Sequence, residues 1–159
     1  IKGFGTTRAN TSPSSPSQLF ISTDGVINHR ARVLGGGTAL NAGFYSRAST
    51  DYVSRVGWDQ RAVNESYEWV ENKVVFEPEV GAWQSAVRSG LLEAGQFPYN
   101  GFTYDHVKGT KVGGTTFDGS GYRHTAADLL EYAHPPNITL YLQAIVEQIL
   151  FKTESTLFN

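Results

Sequence analysis

The chain has 159 residues, 40% of them hydrophobic, with a mean hydropathy of -0.30, which fits one ordinary soluble domain. A net charge of -2 and scattered basic residues leave no electrostatic footprint for nucleic acid. No cysteine is present, so thiolate metal sites and disulfides are excluded, and no apolar run approaches the ~20 residues that span a bilayer.

Residues 5–19 are rich in Ser, Thr, Pro and Gly and read as an irregular, exposed segment. Phe20-Ile21 then leads to the turn signal Asp24-Gly25. Arg30 to Leu34 is a short extended stretch that runs into Gly35-Gly36-Gly37, and a helix is expected from Thr38, carrying Leu40, Phe44 and Tyr45. After Asp59, a good cap, Val63, Tyr67, Val70 and Val74 repeat at spacings of four, three and four, which predicts a helix that Pro78 limits. A second helix is expected over 82–94, with Trp83, Val87 and Leu91 on one face and Gly95 as its stop.

From Pro98 to Tyr122 the chain is dotted with glycine, and short strands and turns are expected, Asp118-Gly119 among the turns. A helix over 125–133 follows, stopped by Pro135-Pro136. Beyond Ile138, Leu140, Leu142, Ala144 and Val146 alternate with Tyr141, Gln143 and Glu147, which predicts β structure.

The stretch Arg30 to Ala48 carries the chemistry. Three glycines ahead of a helix let the backbone approach a ligand with no Cβ in the way. Free N–H groups of a first helical turn favour an anion such as phosphate, and the Asn41 amide can donate and accept. Counting from Gly35, the third glycine of G-x-G-x-x-G would fall on Leu40, and no Lys-Ser/Thr pair follows. Neither the dinucleotide fingerprint nor the P-loop is met, and an ordinary tight turn into a buried helix fits the residues as well.

The run Arg32-Val33-Leu34-Gly35-Gly36-Gly37-Thr38-Ala39-Leu40-Asn41-Ala42-Gly43-Phe44-Tyr45 resembles the first signature of the glucose–methanol–choline (GMC) oxidoreductases. Phe20 to Val26, Asn100 to His106 and Arg123 to Leu130 resemble the plant Hothead and (R)-mandelonitrile lyase-like branch, and the likeness covers essentially the whole chain. The resemblance implies an α/β fold, mixed α+β in places, and an internal fragment of a FAD-binding fold. It implies FAD as cofactor and alcohol oxidation at carbon, or cyanohydrin cleavage, so the implied partner is a small alcohol or cyanohydrin. A non-catalytic anion-binding module is the reading from another class.

By resemblance, FAD contacts fall to Gly36, Gly37, Asn41, Ala42, Gly43 and Phe44, with Val146 at the adenine end. Residues 1–77 and 123–159 would belong to the FAD domain, and 78–122 would reach into the substrate domain. The family's N-terminal G-x-G-x-x-G turn and its C-terminal catalytic histidine have no counterpart, so no catalytic residue is nominated and the chain alone is expected to be inactive.

His29, His106, His124 and His134 show no ligand spacing and read as loop or packing residues; His106 alone could approach a substrate cavity. Trp58, Trp69 and Trp83 read as core or rim anchors, and Glu65, Glu68 and Glu71 as a solvated helix face. The triplets at Asn10, Asn64 and Asn137 would be glycosylation acceptors only in a secreted protein.

Overall fold

A computed structural model describes Ser12 and residues 14–151. The triplet asparagine Asn10, most of the expected irregular stretch before Ser14, and the last eight residues lie outside the described residues. Among the described residues the architecture is a mixture of helices and three small two-stranded sheets, consistent with the α/β reading.

Strand β1 (Ser17–Ile21) pairs antiparallel with β2 (Ile27–Ala31), in register from Ser17 opposite Ala31 to Ile21 opposite Ile27. The expected turn closes this hairpin: Gly25, at φ 85, donates its N–H to the Ser22 carbonyl at 2.9 Å. Ser17 to Leu19 are therefore strand, not irregular chain. The reason is pairing: Arg32 N–H reaches the Pro16 carbonyl at 2.7 Å, extending the ladder, and Ser17 is buried beneath it.

The helix expected from Thr38 is a single 3₁₀ turn, Gly36–Ala39. Two residues later the Asn41 carboxamide accepts the Gly43 N–H at 2.9 Å, and Gly43 sits at φ 80, so the chain turns out of helical geometry. Phe44–Tyr45 then forms β3, paired antiparallel with β6 (Gly114–Thr115).

A short helix not evident from periodicity, α1 (Thr50–Arg55), starts at Ser49, whose hydroxyl accepts the Tyr52 N–H at 3.2 Å. Helix α2 (Gln60–Val74) begins as expected at Asp59, whose carboxylate accepts the Ala62 N–H at 2.7 Å. It ends before Pro78 because Val75 turns extended and Phe76 bridges Thr115. Its stripe of Val63, Tyr67, Val70 and Val74 faces inward, Val74 buried and the others partly so.

Helix α3 (Ala82–Glu93) matches its predicted span, but its stripe is not covered: Trp83 is 75% exposed, and Val87 and Leu91 are also open. Strand β4 (Tyr99–Phe102) pairs with β5 (Thr110–Val112), in parallel despite the short connection. Asn100 Nδ2 ties the connection down, donating to the Lys108 carbonyl at 2.8 Å and the Pro98 carbonyl at 3.2 Å. Asp118 builds the next turn by accepting from the Ser120 and Tyr122 N–H groups, both at 2.9 Å.

The expected helix over 125–133 is a 3₁₀ helix, Ala126–Tyr132, capped by Thr125 and followed by a 3₁₀ turn at Pro135–Asn137. The β structure expected beyond Ile138 is not formed. No described residue pairs with 138–151, and Gln143, at φ 56, interrupts the extended run. An alternating pattern makes a strand only where a neighbour supplies ladder hydrogen bonds.

Among the described residues the apolar core is small, with Val53, Val74 and Val75 as its buried hydrophobic members. Phe44, Trp83, Ile145, Leu150 and Phe151 are each at least 75% exposed. Large apolar side chains left in water to this extent favour association. The isolated chain is expected to elute from gel filtration as concentration-dependent assemblies. A monodisperse monomer with a sharp thermal transition would contradict that.

At the centre, Arg47 donates to Glu71 through Nε at 2.7 Å and Nη2 at 2.6 Å, and the Tyr45 hydroxyl donates to the same carboxylate at 2.8 Å. Glu71 is 8% exposed, so it is no part of a solvated face. Its spacing explains why: four residues after Tyr67 and three before Val74, it shares the inward stripe. Glu65 does lie in solvent, paired with Arg61 at 2.8 Å, and Glu68 is exposed. Trp58 and Trp69 are rim residues, meeting Tyr52 and Tyr132 respectively.

Candidate functional site

The glycine turn has two faces, which differ in what a side chain would meet. On the inner face a Cβ at Gly35 would lie 2.7 Å from Thr125 Oγ1, and one at Gly43 would fall on the Phe117 ring. Packing within the chain therefore requires glycine at both positions. On the outer face a Cβ at Gly36 or Gly37 would meet nothing within 4 Å. Gly36, at φ 58, still has a conformational reason to be glycine. Gly37 has no left-handed φ, and a Cβ there meets nothing beyond its own turn among the described residues, so none of their packing requires glycine there.

Behind the turn stands the segment Phe117–Ala127, far away in sequence. The Ala126 N–H donates to Thr38 Oγ1 at 2.9 Å, and that hydroxyl donates to the Gly35 carbonyl at 2.5 Å. Arg123 donates through Nη1 to the Thr38 carbonyl at 3.0 Å and to Asn41 Oδ1 at 3.2 Å, and through Nη2 to the Asn41 carbonyl at 2.8 Å. Its guanidinium lies 4.3 Å from the Phe117 ring centre. Sequence reasoning missed Arg123, Thr125, Phe117 and Thr38 as parts of this site. The contacts span about 80 residues and leave no local spacing to read.

The structure brings Gly36, Gly37, Asn41, Ala42, Gly43 and Phe44 together in one continuous turn. Asn41 and Ala42 are exposed, Gly43 is buried against Phe117, and Phe44 is 88% exposed. Val146 is not brought to them: it lies on the unpaired stretch 138–151, at 78% exposure, and does not line the groove beside the turn.

That groove, of about 770 Å³, runs from Ala42 and Phe44 across β5 and β6 to Trp83, Val87 and Leu91 of α3. Its walls are largely apolar, and the uncovered α3 stripe forms part of them. Lys111 lies along it, with Nζ donating to Ser46 Oγ at 2.8 Å and to the Asp105 carbonyl at 2.6 Å. Burial lowers the pKa of this ammonium from its ordinary value.

Of the histidines, His29 lies on β2, its Nδ1 3.2 Å from Ser17 Oγ, and His106 is exposed outside the groove. His124 packs between Phe76 and Tyr122, with Nδ1 2.7 Å from Asp128 and Nε2 3.5 Å from Asp118. Among the described residues no helix is long and apolar enough to cross a membrane.

The chain is 55% identical over 156 residues, 98% of its length, to Protein HOTHEAD of Arabidopsis thaliana. The chain belongs to the glucose–methanol–choline family, in its Hothead and (R)-mandelonitrile lyase-like branch. It is 46% identical over 144 residues to (R)-mandelonitrile lyase 1 of Prunus dulcis, and 46% identical over 147 residues to a sinalpyl alcohol oxidase of Nesocodon mauritianus. These alignments cover 89% and 90% of the chain. The chain spans about a quarter of the length of these GMC relatives, 26% in each case. No protein-family model matches it.

Proposed function

We infer that the outer face of the glycine turn holds FAD in an oxidoreductase acting on alcohols. The observation that carries this is Gly37: a glycine with no left-handed φ and no packing role among the described residues points to something else that approaches its backbone. The residues fit such a group. Gly36 and Gly37 leave an open cradle, and exposed Asn41 and Ala42 border it. The anion attraction of a long helix is not available, because the 3₁₀ helix has only four residues.

FAD, when bound, would supply the hydride acceptor for oxidation at a carbinol carbon. This chain's residues would do the holding: Gly36 and Gly37 by backbone approach, Asn41 by its carboxamide, and Ala42, Gly43 and Phe44 by shaping the border of the groove. Val146 is proposed for the adenine end, on a segment that needs a neighbouring strand to position it. The groove along α3, within the proposed substrate segment 78–122, would take the alcohol. Similarity to a mandelonitrile lyase equal to that for an alcohol oxidase supports cyanohydrin cleavage as the second chemistry on the same scaffold.

The test is a graft in which this segment replaces its counterpart in full-length Arabidopsis Hothead. The purified graft should carry one FAD per chain by its visible absorption, whereas the isolated 159-residue chain should not retain stoichiometric FAD through gel filtration. A graft that folds as its host does but lacks flavin, where the host retains it, would overturn the reading.

A further inference from the structure

We propose that Arg123 is a positioning residue that locks Asn41 as a hydrogen-bond donor toward the cofactor. This rests on the assignment of the glycine turn to FAD. Asn41 Oδ1 faces two donors, the Gly43 N–H at 2.9 Å and Arg123 Nη1 at 3.2 Å. Only the carbonyl end of the amide can satisfy both, so Nδ2 must point the other way. No hydrogen bond to a described residue engages Nδ2, and Asn41 is exposed on the side of the open glycines. The partner that suits it is an acceptor atom of the ligand, such as a flavin carbonyl or ring nitrogen.

Arg123 is built for this task. Its fork spans the Thr38 carbonyl, the Asn41 carbonyl and the Asn41 side chain, so one planar group fixes both ends of the turn. The Phe117 ring holds the guanidinium from one face, 4.3 Å away. None of the ion pairs among the described residues includes Arg123. Its charge is therefore spent on neutral acceptors beneath the turn, where it also favours an anionic ligand above.

In the graft, FAD affinity of the apoprotein is measured for Arg123→Lys, Asn41→Ala, Asn41→Asp and the double variant Arg123→Lys with Asn41→Ala. Lysine keeps the charge and loses the fork, so affinity should fall about tenfold in an apoprotein that still unfolds cooperatively, its melting temperature lowered only slightly by the lost turn hydrogen bonds. Asn41→Ala should fall by a similar factor. Asn41→Asp should fall at least as far, because it keeps the Arg123 partner but has no donor to offer. The double variant should be no more than about threefold weaker than the weaker single variant, since both remove the same contact.

Affinity unchanged in Arg123→Lys would overturn the proposal. So would losses that multiply in the double variant, or an Asn41→Asp protein that binds like the parent. A parent graft without flavin would instead refute the functional reading itself, and the proposal with it.

Discussion

Glu71→Ala is expected to destabilise the segment by about 3–5 kcal/mol, because it strands the Arg47 guanidinium in a site built around one carboxylate. The urea midpoint of the graft would report this. Arg47 makes two hydrogen bonds to Glu71 and Tyr45 adds a third, with Arg47 at 23% and Glu71 at 8% side-chain exposure. Glu71→Gln keeps the shape and part of the hydrogen bonding and should cost less, about 1–3 kcal/mol. Glu65→Ala is the control. Its pair with Arg61 is a single contact at 2.8 Å between two well-exposed side chains, so the loss should stay below about 0.5 kcal/mol. A Glu71→Ala midpoint no different from that of Glu65→Ala would contradict this account of the core.

The same pair sets a pH dependence. The Arg47 hydrogen bonds, with help from Tyr45, hold the Glu71 carboxyl below its usual pKa against the opposing effect of burial. A depressed folded-state pKa contributes stability above the unfolded value of about 4.3 and loses it as pH falls through the folded value. The gap in stability between the parent and Glu71→Gln should therefore be full at neutral pH and close as pH drops below about 4. At the alkaline end, burial and then the neighbouring Glu71 raise the Tyr45 phenol, so its contribution persists to about pH 10 and fades above it.

Local signals in the sequence were read well. Asp59 caps α2, Gly25 closes the hairpin and Asp118 builds its turn, because each acts on backbone groups within four residues. What depended on distant partners was not legible. Leu140 to Val146 alternate like a strand, yet a strand exists only where another supplies its ladder. The helix expected after Gly37 gives way to β3 because Phe44 and Tyr45 find Thr115 and Gly114 some 70 residues on. Glu71 was misplaced on the solvated face because its type outweighed its position, which the spacing from Tyr67 and Val74 already indicated.

The candidate site divides the same way. The turn from Gly36 to Phe44 was visible as a contiguous motif, and the structure keeps those residues together. Its support from Arg123, Thr125 and Phe117 was not, since none of the three is distinctive in type or spacing. The glycines themselves could not be sorted from sequence. Only the three-dimensional neighbours separate Gly35 and Gly43, which the chain needs, from Gly37, which it does not.

Gly37→Val in the graft therefore tests the central claim most directly, with FAD content and apoprotein melting temperature measured on the same preparation. Position 37 lies in a 3₁₀ turn with no left-handed φ, and beyond that turn a Cβ there meets no atom of the described residues within 4 Å. Valine should leave the melting temperature of the apoprotein close to the parent value, since the position has no left-handed φ and its Cβ meets no described residue beyond the turn. The space it fills is the space assigned to the cofactor, so the protein should emerge largely free of flavin, with affinity lowered at least about a hundredfold, as for a loss near 3 kcal/mol. Gly37→Ala, with one methyl group, should lie between the two. A Gly37→Val protein that folds like the parent and still carries one FAD per chain would show that the turn is only a structural corner, and that the cofactor binds elsewhere.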